Sequence, residues 1–157
     1  MRVLLNDEDG QAIPVEYILI FTISMIFLGL MTLTFNSAVD SASRQAIYIE
    51  LTDTGNIISS AITNIYVTTP YNGVNIISLD VPDEIAGTGY FVEISGTGEN
   101  PYEDNKALKL TSMRKSVTTY VPLNSIDALI KINGSASSSS GKILIISNTS
   151  EITISQG

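Results

Sequence analysis

Residues 14–40 read PVEYILIFTISMIFLGLMTLTFNSAVD, and no charged residue stands between Glu16 and Asp40. From Tyr17 to Phe35 the side chains are apolar apart from Gly29 and four hydroxyl residues, Thr22, Ser24, Thr32 and Thr34. Nineteen helical residues at ~1.5 Å each cover roughly 28 Å, close to the ~30 Å hydrocarbon core of a bilayer. A chain of 157 residues rarely has enough surrounding protein to bury so long an apolar helix on every side. The stretch is therefore expected to be a membrane helix with a lipid bilayer as its partner, and Tyr17, Ile18, Leu19, Ile20, Phe21, Phe27, Leu30 and Phe35 are its principal apolar contacts. Short hydroxyl side chains are compatible with this, because they hydrogen-bond back to the helix that carries them. A secretory signal peptide has a shorter apolar region and a positive start. Here the run is longer and NDEDG precedes it, although Ala38-Val39-Asp40-Ser41-Ala42 has the small residues of a cleavage site.

The rest of the composition narrows the chemistry. There is no Cys, His or Trp, so disulfide frameworks, thiol nucleophiles, histidine bases and the usual zinc sites are unavailable. Sixteen acidic against eight basic residues give a net charge of −8, which repels a phosphate backbone, and no nucleic-acid partner is expected. No GxSxG motif is present. No catalytic residue, metal ligand or cofactor is assigned. The acidic group Glu99, Glu103 and Asp104, with Asn100 and Asn105, lacks the alternating spacing of a calcium loop and is given no site.

Outward from the apolar run, Pro14 marks a helix start, since the first-turn amides have no intrahelical partner to lose. On the other side the helical pattern continues, with Val39, Ala42, Ala46 and Ile49 forming one stripe and Ile58, Ala61, Ile62 and Ile65 a second. Together they predict a helix from about Ile13 to Tyr66. Thr54-Gly55-Asn56 lies between the stripes, and either bends the helix or divides it in two.

After Thr69-Pro70-Tyr71-Asn72-Gly73 the texture changes to short β-branched runs separated by turn residues. Strands are expected at Val74–Leu79, Tyr90–Ile94, Ala107–Thr111, Val117–Val121, Ile126–Ile132, Ile143–Ser147 and Ile152–Ser155. Gly134 to Gly141, GSASSSSG, reads as a flexible loop, and Asn148-Thr149-Ser150 as the turn of a terminal hairpin. The expected class is α+β, a long N-terminal membrane helix leading into a small antiparallel sheet or sandwich. Two N-x-[ST] sequons, at Asn133 and Asn148, are candidate N-glycosylation acceptors on a translocated surface.

The junction Asn6-Asp7-Glu8-Asp9-Gly10-Gln11-Ala12-Ile13-Pro14-Val15-Glu16 before the apolar run resembles the N-terminus of archaeal type IV pilins and pilin-like proteins. The likeness covers about the first 30 residues, and the tail only as a helix followed by a β-rich head. It implies a class III signal peptide, residues 1–10, removed by a prepilin-type peptidase between Gly10 and Gln11. A cut after Gln11 instead would make Glu16 the fifth mature residue. It also implies an assembly helix at 11–35, an amphipathic stem at 36–69 and an extracellular head at 70–157, in a single-pass surface protein that self-associates or joins other pilin-like subunits through an assembly machinery.

In that reading Glu16 sets the register between helices. A carboxylate at the edge of an apolar helix needs a partner, and the amino terminus created by leader removal supplies a positive charge. The alternative is a solvated Glu16 in the headgroup layer beside Tyr17. Two functions remain open at this level: a pilin-like structural subunit, or a non-polymerising membrane-anchored protein with a β-rich adhesion or partner-binding module.

Overall fold

The computed structural model describes residues 9–95, 106–123, 126 and 130–157. The described residues form one α-helix, α1 (Asp9–Thr68), and seven strands, β1 (Asn75–Asp80), β2 (Tyr90–Ser95), β3 (Ala107–Ser112), β4 (Thr118–Pro122), β5 (Lys131–Ser137), β6 (Lys142–Ser147) and β7 (Glu151–Gln156). The class is α+β, as the pattern predicts. The chain divides into two compact units, Met1–Ala42 and Ser43–Gly157.

The first unit, where described, is helix. It begins at Asp9, so Pro14 stands inside α1 and not at its start. A proline there forgoes the bond its N–H would have made to the carbonyl four residues back, at Gly10, and the helix continues past it.

In the second unit the helical residues from Ser43 onward pack on a single seven-stranded sheet, in the order β1-β6-β7-β5-β2-β3-β4. Every neighbouring pair is antiparallel except β5 and β7, which run parallel. The described strands form one sheet, not a sandwich, and the helix covers the face that a second sheet would occupy. Alternation decides that face. Tyr90 and Val92, Leu108 and Leu110, Ile143 and Ile145, and Ile152 and Ile154 are buried at every second position, as the two-residue period of a strand requires. The intervening positions carry polar pairs such as Glu93 with Lys109, 3.5 Å apart across β2 and β3.

The helix contributes Ile47, Leu51, Thr54, Ile58, Ile62 and Ile65, all buried, at spacings of four, three, four, four and three. This is the 3.6-residue period of one helix face. Burying its five Ile and Leu side chains is worth about 1.5–3 kcal/mol apiece before any entropy is counted. The second predicted stripe is therefore the packing stripe, whereas Val39, Ala42, Ala46 and Ile49 are exposed. Both stripes have helical spacing, and the sheet covers the one at Ile58–Ile65, which the buried Ile47 and Leu51 extend toward the N-terminus.

Gly55 neither bends nor ends the helix. It is buried in an unbroken α1, and a Cβ there would lie 2.6 Å from Val121 Cγ2 and 2.9 Å from Leu110 Cδ1. The residue marks a close approach of helix and sheet, and polar contacts flank it: Thr52 Oγ1 lies 3.1 Å from Thr119 Oγ1, and the Ser59 hydroxyl donates to the Pro122 carbonyl at 3.4 Å. The helix ends at Thr68, ahead of Thr69-Pro70, where the Thr69 hydroxyl donates to the Ile65 carbonyl at 2.6 Å. A proline two residues beyond the last helical residue cannot continue the ladder.

Six of the seven expected strands are present within two residues of their predicted limits. The fifth differs. Only Lys131 and Ile132 of the predicted Ile126–Ile132 run belong to β5, which extends through Gly134-Ser135-Ala136-Ser137, and positions 127–129 lie outside the described residues. The expected flexible loop is thus half strand, and Ser138–Ser140 adds a 3-10 turn capped by Ser137 and a left-handed Gly141. The cause is at Gly134. Its φ is 111°, and a Cβ there would collide with the Ile154 carbonyl of β7. Glycine in this strand permits a close backbone approach.

Buried polar groups tie the 81–89 segment to this turn. The Ser138 hydroxyl donates to the Asp83 carbonyl at 2.6 Å and accepts from Tyr90 N–H at 3.0 Å. The Tyr90 phenol donates to the Pro82 carbonyl at 3.0 Å. Burial, with a smaller effect from Asp83, pushes the Tyr90 hydroxyl up from 10.0 to about 12. Between these values the folded chain keeps a proton that the unfolded chain has lost, so this contribution is complete below pH 10 and disappears as pH rises through 12. Chemical denaturation across that range is expected to show stability falling, by at most about 1.4 kcal/mol per pH unit from this group. In Tyr90→Phe that component of the slope should vanish; an identical slope in the variant would remove Tyr90 as its source.

Candidate membrane and assembly segment

Within α1, every large apolar side chain from Tyr17 to Phe35 is exposed, from 54 % at Ile20 to 71 % at Tyr17. Tyr17, Ile18, Leu19, Ile20, Phe21, Phe27, Leu30 and Phe35 are all in this set. The richest 18-residue window has a mean hydropathy of 2.3, and none of it is buried. In length and composition the helix is that of a membrane span or a signal sequence. It is not the core helix of a globular unit, which would be covered.

The four polar positions are closed within the helix. Thr22 Oγ1 donates to the Ile18 carbonyl at 2.7 Å, Ser24 Oγ to Ile20 at 2.8 Å, and Thr32 Oγ1 to Leu28 at 2.9 Å. Thr34 Oγ1 lies 3.1 Å from the Leu30 carbonyl and 2.9 Å from that of Met31. In hydrocarbon an unsatisfied hydroxyl costs several kcal/mol. Each of these four has a carbonyl partner, so the segment presents an apolar surface all round. Glu16 is exposed at its N-terminal edge, next to Tyr17. The expected cut positions, Gly10 and Gln11, fall in the first turns of α1, and the leader up to Glu8 lies outside the described residues.

Elsewhere the structure separates the sequence-derived sites. Asn133 is in β5, paired with Thr153 of β7, and its Nδ2 donates to Glu151 Oε1 at 2.7 Å. Asn148 is exposed in the turn between β6 and β7. The acidic group at Glu99, Glu103 and Asp104 lies outside the described residues, and among the described residues no cluster of acidic side chains has the grouping to hold a metal ion.

Among the described residues of the second unit, two open depressions stand out. One runs along the helix at Ser59, Ser60, Thr63, Asn64 and Val67. Its Ser60 and Thr63 hydroxyls donate to the Asn56 and Ser59 carbonyls at 2.8 and 3.0 Å, which commits their protons inside the helix. The other lies at Glu84, Gly87, Thr88, Gly89, Met113 and Arg114, above the Ile85–Thr88 turn. Glu50 reaches this turn from the helix and accepts the Ala86 N–H at 3.1 Å, where Ala86 takes a positive φ of 48°. The helical stripe gave no hint of that role for Glu50, since a glutamate off the apolar face reads as solvated.

A model described as "Family of unknown function (DUF7266)" matches residues 7–155. No curated protein and no solved structure matches the chain.

Proposed function

The chain belongs to the DUF7266 family, and from that premise we propose that it is a pilin-like structural subunit of a surface filament or of a membrane-bound pseudopilus, exported and leader-processed. The observation that carries the reading is the Tyr17–Phe35 segment, uniformly exposed, with its hydroxyls satisfied internally and a carboxylate at its N-terminal edge. Lipid satisfies such a surface before assembly, and sister helices satisfy it afterwards. The gain in moving from lipid to helix neighbours is small per contact, because lipid tails are as apolar as leucine, so assembly needs many neighbours. A register-setting group then matters, and Glu16 is placed for that role against the amino terminus of a processed chain.

In this function the chain performs no catalysis. Its partners are the bilayer, other pilin-like subunits or further copies of itself, a prepilin-type peptidase and an assembly machinery, and residues from the β sheet lie on the extracellular side. A non-polymerising surface protein would share the same helix and sheet, but not the processing. N-terminal sequencing of the full protein extracted from its native membrane is expected to begin at Gln11 or Ala12. An intact Met1 would overturn the proposal in favour of a simple anchored module.

A further inference from the structure

The two N-x-S sequons are both exposed and differ in backbone setting and side-chain bonding, one lying within a paired strand and the other in a turn. Asn133-Gly134-Ser135 runs inside β5. Its first two residues pair with Thr153 and Ile154 of β7 on one side, and Ser135 pairs with Glu93 of β2 on the other. The acceptor nitrogen itself is engaged, donating to Glu151 Oε1 at 2.7 Å. Gly134, at φ 111°, fits against the Ile154 carbonyl, so this tripeptide has one backbone path while the sheet is intact.

Asn148-Thr149-Ser150 forms the turn between β6 and β7, and all three residues are exposed. The Asn148 side chain is bonded through its oxygen: Oδ1 accepts from Ser150 N–H at 2.9 Å, Glu151 N–H at 2.8 Å and Ser150 Oγ at 3.2 Å. These bonds hold the carboxamide upright over the turn and leave Nδ2 with both protons to solvent. The same bonds bring the hydroxyl of the third sequon residue against the carboxamide of the first. Opening the tip breaks the Thr149 hydroxyl bond to the Tyr71 carbonyl and the Lys131 N–H bond to Ser150. Freeing Asn133 would require pulling a central strand from between two neighbours.

We propose that Asn148 is the N-glycan acceptor of the folded chain and that Asn133, despite its equivalent motif, is not. The donor class is an oligosaccharide linked through phosphate to a lipid carrier. Asn148 Nδ2 forms a bond to the anomeric carbon, the bond from that carbon to the phosphate oxygen breaks with its electrons leaving on the carrier phosphate, and one Nδ2 proton passes to a base of the transferase. The inference rests on the export reading above, since the donor and its transferase act on a translocated surface.

The test uses the full protein from its native membrane. Trypsin cutting after Lys131 and Lys142 places Asn133 and Asn148 on separate peptides. Mass spectrometry is expected to find glycan on the peptide beginning at Ile143, with occupancy at least ten times that of the peptide beginning at Ile132. Asn148→Asp keeps the oxygen that caps the turn and removes the acceptor nitrogen, and Ser150→Ala removes the hydroxyl while retaining Asn148. Both should lose the glycan, and Asn133→Gln should keep it. Glycan on Asn133 would overturn the proposal. So would a bare Asn148 in a chain whose sheet region is trimmed by protease added to intact cells. A bare Asn148 in a chain protected from that protease would overturn the export reading and this proposal together.

Discussion

The double substitution Phe27→Asp with Leu30→Asp is expected to move the protein out of the membrane fraction. Both side chains are exposed near the middle of the apolar run, on adjacent turns of α1. An aspartate at the centre of a membrane helix costs about 2.5–3.5 kcal/mol, and each loses the ~0.3–0.6 kcal/mol that Phe or Leu contributes. Two such changes weaken insertion by roughly 6–8 kcal/mol, enough to outweigh much of what the remaining apolar residues supply. Carbonate extraction followed by immunoblotting would read the result. Retention of the double variant at the wild-type level would mean that Tyr17–Phe35 is not held by lipid. Glu16 does not argue against this, because it stands at the edge of the run, where the cost of a carboxylate is lower.

Gly55→Leu should destabilise the second unit by more than about 3 kcal/mol, although intrinsic helix propensity alone predicts a gain of about 1 kcal/mol. The two effects have opposite signs, which makes the experiment decisive. A Cβ at position 55 meets Val121 Cγ2 at 2.6 Å and Leu110 Cδ1 at 2.9 Å. Val121 is β-branched and stiff at χ1, so a leucine side chain would separate helix from sheet and uncover Ile58 and Leu51 beside it. Gly55→Ala tests the same contact with a smaller volume and should lose less. Thermal or urea unfolding of the two variants, compared with wild type, gives the order. A stabilised Gly55→Leu would show that helix and sheet do not meet closely at this point.

Gly55 also shows how far the sequence could be read. Composition marks it as a bend or a stop, since glycine is a weak helix former, and nothing local reveals that its missing side chain makes room for Val121. Gly134 repeats the lesson in a strand: GSASSSSG has the composition of a linker, yet small residues are what a strand needs where another backbone approaches. The stem has a different difficulty. Val39-Ala42-Ala46-Ile49 and Ile47-Leu51-Ile58-Ile62 both satisfy a helical period, and periodicity cannot say which stripe faces a sheet folded from residues far along the chain. What was legible rested on strong local signals: the uncharged run after Glu16, and six β-branched runs bounded by turn residues. The Tyr17–Phe35 segment was legible for the same reason, because a membrane-length apolar helix needs no distant partner to define it. The different backbone settings of Asn133 and Asn148 were not legible, since an N-x-S motif carries no record of which strand pairs beside it.

The position of β7 has a consequence for the order in which this protein can be made. It is the final strand in chain order, yet it lies between β6 and β5 and is what joins β1-β6 to β5-β2-β3-β4. Without Glu151–Gln156 the other strands would form two separate β ribbons with no ladder between them, and the stripe from Ile47 to Ile65 would lack a complete surface to cover it. The helix is synthesised first and its partner is finished last. Contacts that join such distant stretches close slowly, because the intervening chain must be ordered before they form. Closure of the sheet thus depends on a strand that follows all its partners in the chain.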